Sequence, residues 1–412
     1  MSLVVLVADS LRHDAAGCCG GAAATGVLDG LADSGVLFER AVSAAPWTVP
    51  SIAAMLTGVW AHRLGLAKWE QPWPARHPSL FTLAREAGCE VGSFVFDPGH
   101  LFRRVPEASV VGSSQDVEPM LDWFAARRGK RFLAFVHYWW THVPYIDRPL
   151  SMRAWRVATE RVLGAMRGGA AAREGARRLY LRAVERFSER FLPRLLNALD
   201  LDTTWLAICA DHGEGFGDRP ETARLEDVFD LHGNTLYDEV LRVPLLLRPP
   251  GGTTPRRVGD LVRTVDLAPT LAGLCDLGCW PPDAASDLDG ISLAACVRDG
   301  APVPELAAVS VRNRDFVDLP DLPADPRDLW DGFALTTKRF KQIWYPANGR
   351  RVAFDLDTDP GEIVDVSAVH AATLEAGWGR LEAERGRARV GEILPGDAAR
   401  VRERLARLGY LD

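Results

Sequence analysis

Short apolar runs punctuate the chain at Ser2–Ala8 (SLVVLVA), Val91–Phe96 (VGSFVF), Arg131–Tyr138 (RFLAFVHY), Thr204–Ala210 (TWLAICA) and Val243–Pro249 (VPLLLRP). They lack the polar alternation of a half-exposed strand, so each reads as a buried parallel strand. Helical periodicity lies between them, most clearly over Leu179–Leu199, where Pro193 should kink or split the helix. Strands alternating with helices predict an α/β fold with a mostly parallel central sheet covered by helices on both faces. RPPGGTTPRR (Arg248–Arg257) reads as a loop. After about Pro302 the texture changes. GFALTTKRFKQIWYP and RRVAFDLD read as short antiparallel strands, followed by a charged helix. The chain is expected to divide into an α/β domain over 1–302 and a small C-terminal α+β subdomain over 303–412. Residues 152–178, rich in Ala, Gly and Arg, read as a helical insertion or lid.

Composition narrows the function classes. The 412 residues carry 47% hydrophobic and 25% charged residues, ordinary for a globular protein with a large core. A net charge of -7 gives no general nucleic-acid surface, and the Arg-rich stretch 171–191 alternates with Glu as a solvated helix face does. Seven cysteines follow no disulfide framework, so they are expected as free thiols in a reducing compartment. Cys275 and Cys279 lack a second ligand pair for zinc. MSLVVLVADS has no basic leader and no run reaches membrane-spanning length, which points to the cytoplasm.

In open α/β sheets, functional groups gather at the carboxyl ends of strands. The first run ends in ADSLRHD, placing Asp9 at its tip, and TWLAICA ends in DHGEGFGD, placing Asp211 and His212 at its tip. Each alone is a common helix cap or turn. Together they can converge as a metal site. In APWTVPSIAAMLTG a helix should start near Pro50, with Thr48 at an N-terminus suited to an anion. Thr48 reads equally as a helix cap or as a nucleophile.

Several motifs, in order, carry a resemblance to a known family. PWTVPSIAAMLTGVWAHRLG resembles the nucleophile segment of sulfatases, ADHGEGFGD their second metal motif and HYWWTHVPY their His-x-Pro-Tyr stretch. HGNTLYDEVLRVPLLLRPPG, VDLAPTL, LDGISL and FDLDTDPGEIVDV match later landmarks. The resemblance runs from residue 3 to about 366 and identifies the chain with the sulfatase branch of the alkaline-phosphatase superfamily. It implies Asp9, Asp211 and His212 as metal ligands, with Thr48 completing the set. Two carboxylates, an imidazole and a hydroxyl suit one Mn²⁺ or Zn²⁺, with Mg²⁺ or Ca²⁺ as lesser choices.

The departures bear on chemistry. Thr48 stands where sulfatases have the Cys or Ser that matures to formylglycine, and Thr cannot give that aldehyde. Ile52 replaces the motif's Arg, Ser10 replaces the second of paired aspartates, and two usual lysines are absent. Thr48 instead resembles the threonine of nucleotide pyrophosphatase/phosphodiesterases and lipoteichoic-acid synthases, which transfer phosphoryl groups. The expected activity is therefore metal-dependent hydrolysis of a small anionic phosphate ester, a phosphodiester or phosphonate monoester, through a phospho-Thr48 intermediate. Alternatives are a sulfate-ester hydrolase, a phosphoryl transferase to an acceptor other than water, and an anion-binding pseudoenzyme. His142 and His232 are the candidates for binding the anion and protonating the leaving oxygen. Arg12 either binds an oxyanion or, the favoured role, supports the site by pairing with Asp14. His137 and His100 are pocket candidates for which a structural role is favoured. His137, His142 and His232 together form a less favoured second metal site.

Overall fold

In the computed structural model the described residues are 1–66, 73, 77–95, 110–113, 116–146, 152–218, 231–313, 325–389 and 391. Among them, the larger sheet has the strand order β4-β3-β5-β1-β6-β7-β2-β8. Its members are β1 (Ser2–Ala8), β2 (Val36–Val42), β3 (Glu90–Val95), β4 (Val110–Ser113), β5 (Phe132–Tyr138), β6 (Thr204–Cys209), β7 (Arg242–Arg248) and β8 (Arg256–Arg263). Every residue of β1 and β5 is buried, as the unbroken apolar runs require. Neighbouring strands pair in parallel except around β7, which is antiparallel to both β6 and β2.

The reversal at β7 corrects the parallel pairing expected for VPLLLRP. Apolar content reports burial on both faces and is blind to strand direction. Pro244 lies within β7 and has no N–H for the ladder. Opposite it, the register of β2 slips between Phe38 and Ala41, so Glu39 and Arg40 bulge past the proline. That bulge explains why VLFERAV, with two charges at its centre, is still a strand.

RPPGGTTPRR is the turn joining β7 to β8, with its terminal arginines inside the strands. The expected break at Pro193 takes another form. A helix over Ala170–Arg186 passes through a wide π turn, Phe187–Phe191, into a helix over Leu192–Ala198. Pro193 falls in that last helix's first turn, where a missing N–H costs least. Residues 152–178 are helical, over Met152–Met166 and the start of the next helix, and Trp155 is buried against Trp139 and Trp140.

The second sheet is antiparallel, in the order β12-β11-β10-β9, from β9 (Ala308–Asn313), β10 (Trp330–Thr336), β11 (Phe340–Tyr345) and β12 (Arg350–Asp355). A helix over Ala371–Arg387 covers it with Leu374, Trp378 and Leu381, one helical face. Buried polar ties join this unit to the rest, two of them between ionisable groups. His62 Nε2 lies 3.0 Å from Glu384 Oε2, and Lys341 Nζ lies 2.8 Å from both Asp238 Oδ1 and Glu362 Oε1.

All seven cysteines are free thiols. Among the described residues, no helix is long and apolar enough to cross a membrane.

Candidate active site

The strand order creates the site. β5, β1 and β6 lie side by side, with Val7 in register with His137 on one side and Cys209 on the other. Residues just past these strand ends therefore meet. Asp9 follows β1, Asp211 follows β6, and His137 is the penultimate residue of β5. Their ligand atoms lie within 4.8 Å of one another, and all three residues are buried. His137 Nε2 is 3.1 Å from Asp9 Oδ2 and 3.8 Å from Asp211 Oδ2. His212 Nε2 approaches the same carboxylates, 3.4 Å from Asp211 Oδ2 and 4.0 Å from Asp9 Oδ1.

The remaining atoms of these side chains are committed. Ser10 Oγ donates to Asp9 Oδ1 at 2.6 Å, and the N–H groups of Ser10 and His212 donate to Asp211 Oδ1 at 3.1 and 3.0 Å. His212 Nδ1 lies 2.8 Å from the Gly213 carbonyl, which fixes the N–H there and leaves a lone pair on Nε2. By contrast, Asp9 Oδ2, Asp211 Oδ2 and His137 Nε2 are buried and face one another, with no further hydrogen-bond partner. Orphaned donors of this kind, converging at one point, fit a divalent cation. Burial alone would raise the Asp9 carboxyl, yet the charges of His142, His137 and His212 hold it well below the carboxylate range. Burial pushes the His137 imidazolium down, but Asp211 and Asp9 outweigh it and carry His137 up to about 9. A bound cation would take the place of that proton.

Thr48 is buried beside His212. The helix over Thr48–Thr57 begins two residues before the position expected from Pro50, after an extended Trp47. Thr48 Oγ1 lies 3.3 Å from His212 Nε2. The helix is bolted to the Asp211 loop, because Ser51 Oγ and Ser43 Oγ both donate to the Asp211 carbonyl at 2.5 Å. Gly213 is required on the other side of that loop. A Cβ there would sit 2.1 Å from the Glu239 carbonyl oxygen, and the Gly213 N–H donates to the Val240 carbonyl at 2.7 Å. Ile52 is fully buried in the core.

His142 and His232 come together beside this centre. Their ring centroids are 4.9 Å apart, and His232 is 4.6 Å from His212. His142 stacks on Trp139 at 4.1 Å, and its Nδ1 lies 2.8 Å from the Val143 carbonyl. His232 Nδ1 lies 2.7 Å from Oε1 of the fully buried Glu214, whose Oε2 accepts from the Tyr145 hydroxyl at 3.0 Å. The two imidazoles are pushed apart. Burial, with the charge of His232, takes His142 down to about 4. Burial also opposes charge on His232, but Glu214 overrides it and raises His232 to about 9. The two rings are thus biased in opposite directions, His142 toward the neutral acceptor and His232 toward the cationic donor.

Two expectations change with this geometry. His137, read as structural, faces the Asp9–Asp211 pair. A strand whose other residues are apolar makes any histidine in it look like core. With His137 Nε2 turned to that pair, the trio His137, His142 and His232 is not assembled around one point. Arg12 takes the supporting role. Its guanidinium donates to Asp14 at 2.7 Å twice, to Asp218 at 3.0 Å and to the Glu214 carbonyl at 2.8 Å, which leaves little for a substrate anion. His100 lies outside the described residues. Glu214 and Tyr145 carry no role in the sequence reading, although both stand within quoted motifs.

The family model described as Sulfatase matches residues 2–102 and 112–277, more than half of the chain. The chain belongs to the sulfatase family. It has many structural likenesses. A phosphonate monoester hydrolase of Agrobacterium radiobacter is 20% identical, with 94% of this chain and 95% of that one covered and a TM-score of 0.70. A structure described as a 2-O GAG sulfatase is 19% identical, with 96% of each chain covered and a TM-score of 0.70. At such identities these likenesses establish the fold. An arylsulfatase of Volvox carteri is 30% identical over 207 residues, 45% of this chain and 30% of that protein. The chain spans less than a third of the length of the curated relatives it matches. Sulfatase-family enzymes use a divalent metal, and the Asp9, His137 and Asp211 cluster is the candidate place for it.

Proposed function

We propose that this sulfatase-family chain hydrolyses phosphate esters, phosphodiesters or phosphonate monoesters, through a covalent phospho-Thr48 intermediate. The observation that carries the reading is Thr48 itself, a single hydroxyl at a helix N-terminus, 3.3 Å from His212 Nε2 and beside the Asp9–His137–Asp211 cluster. Asp9, His137, Asp211 and His212 would hold one divalent cation, Mn²⁺ or Zn²⁺ by donor type, which when bound makes a neighbouring hydroxyl more acidic and offsets the ester's charge.

The protein groups supply the rest. Thr48 Oγ1 gives its proton to solvent and bonds to phosphorus, and the bond from phosphorus to the leaving oxygen breaks. His232, oriented by Glu214, gives that oxygen its proton. Water then attacks phosphorus, His142 Nε2 takes the water's proton and passes it to Thr48 Oγ1 as the Oγ1–phosphorus bond breaks, and His232 regains its proton from solvent. The helix N-terminus favours the anion throughout. Free thiols suit action in the cytoplasm.

The chemistry of release separates phosphorus from sulfur. A formylglycine hydrate attacks with one hydroxyl and expels sulfate with the other. Threonine has one hydroxyl, so a sulfated Thr48 would need a separate attack by water at sulfur. The test is a matched set of aryl phosphodiester, phosphonate, phosphate and sulfate esters with Mn²⁺ or Zn²⁺. Phosphodiester or phosphonate turnover should exceed sulfate turnover by at least about a hundredfold, roughly 2.7 kcal/mol. Thr48→Ser should retain activity and Thr48→Ala almost none. Sulfate as the fastest substrate would favour the second reading, a sulfate-ester hydrolase, to which the arylsulfatase likeness lends weight. Phosphorylated products from added alcohols would favour a transferase, and no turnover with metal bound a pseudoenzyme.

A further inference from the structure

We propose that Cys18 and Cys19 form a preorganised vicinal dithiol that captures trivalent arsenicals, at a site separate from the Thr48 centre. Their sulfur atoms face each other at 3.9 Å, and both residues are only half-buried. Adjacent side chains on a helical turn normally diverge. Here the backbone holds them together over the 3-10 turn Gly17–Cys19.

The clamp is specific. The Gly17 N–H donates to Thr25 Oγ1 at 2.7 Å, and the Cys19 N–H donates to the Ala16 carbonyl at 3.0 Å. The Cys18 carbonyl accepts from Arg257 at 3.0 Å. Gly20 closes the turn at φ 81°, and Gly21 follows so tightly that a Cβ would lie 2.4 Å from the Ala15 backbone. The thiols are thus aligned before any ligand arrives, which removes much of the ordering cost of chelation. The Cys18 thiol is lowered by its contact with Cys19 and by the Arg257 charge, which supplies the more reactive sulfur.

The geometry selects among thiol chemistries. A disulfide wants Cα atoms about 4.4–6.8 Å apart. Neighbours across a trans peptide are held at about 3.8 Å. The Cys18–Cys19 bond is not among the cis peptides, so closing the pair would strain it. A tetrahedral zinc site wants four ligands, and among the described residues the pair belongs to no group of three or more metal-ligating side chains. A centre that needs two sulfurs, held apart by an intervening atom, fits. With an arsenoxide R–As=O, the arsenic–oxygen bond breaks and two arsenic–sulfur bonds form. The oxygen leaves as water with both thiol protons, and nothing is oxidised or reduced.

Phenylarsine oxide is the probe, with intact-protein mass spectrometry as the readout. The native protein should take up about one equivalent, retained against excess 2-mercaptoethanol and removed by 2,3-dimercaptopropanol, as chelation by two linked thiols requires. Cys18→Ser and Cys19→Ser should each lose the adduct while keeping hydrolase turnover, which also reports that they fold. Cys279→Ser should keep it, because that thiol is exposed and solitary. Retention of the adduct in both Cys18→Ser and Cys19→Ser, its release by the monothiol, or no uptake at all would overturn the proposal.

Discussion

Replacing Glu214 by Gln isolates the charge that aims and protonates His232. Glu214 is fully buried and divides its oxygens between His232 Nδ1 at 2.7 Å and the Tyr145 hydroxyl at 3.0 Å. Gln has the same shape. Its carbonyl can keep the His232 contact, and its NH₂ can donate to the Tyr145 oxygen, whose hydroxyl then rotates. What disappears is the negative charge. A hydrogen bond to a charged partner contributes about 1.5–3 kcal/mol. If that energy is spent on keeping His232 a proton donor, its loss slows a reaction needing the proton by about tenfold to 150-fold. The assay is kcat/KM across aryl and alkyl esters of one phosphonate, ordered by leaving-group acidity, with bound metal and melting temperature as controls. Glu214→Gln should leave a nitrophenyl ester nearly untouched, since nitrophenolate departs without a proton, and should slow the alkyl ester most. Tyr145→Phe, which keeps the carboxylate, should have a much flatter profile. A uniform loss across the series, with metal content intact, would refute His232 as the acid.

The metal cluster makes a prediction that the motifs alone do not. His137→Ala should weaken Mn²⁺ and Zn²⁺ binding as severely as Asp211→Asn, because each removes one of three converging buried donors; calorimetric titration showing native affinity in His137→Ala would exclude it as a ligand. Lys341→Met should cost about 3–5 kcal/mol in urea unfolding, since it strands the Asp238 and Glu362 carboxylates that Lys341 holds at 2.8 Å. A loss below about 1 kcal/mol would mean that water reaches those carboxylates.

What the sequence made legible follows from what local pattern encodes. An acid at the end of an apolar run announces a strand tip, so Asp9 and Asp211 stood out. Their convergence with His137 depends on β5, β1 and β6 being neighbours, a fact about strand order that no window of residues contains. Glu214 and His232 meet across 18 positions through a segment with no periodicity to follow. β2 escaped notice because Glu39 and Arg40 sit where the strand bulges around Pro244, a partner distant in the chain. β8, at the sheet's edge with alternating polar residues, looked like the tail of a loop. A helix start near Pro50 was legible because Pro50 and the following apolar stripe are local signals, and the helix begins two residues earlier, at Thr48.

The placement of β1 in the middle of the sheet has a consequence for biosynthesis. Both of its neighbours, β5 and β6, are made much later, and β6 ends only at Cys209. At about 5–20 residues per second, a ribosome needs roughly 10–40 s between the completion of β1 and that of β6. For that interval a strand that is apolar from Leu3 to Ala8 has no ladder partner on the side of β6, a template for aggregation. Nascent chains arrested before Thr204 should therefore engage holding chaperones through Ser2–Ala8, and release should coincide with the emergence of β6 from the exit tunnel.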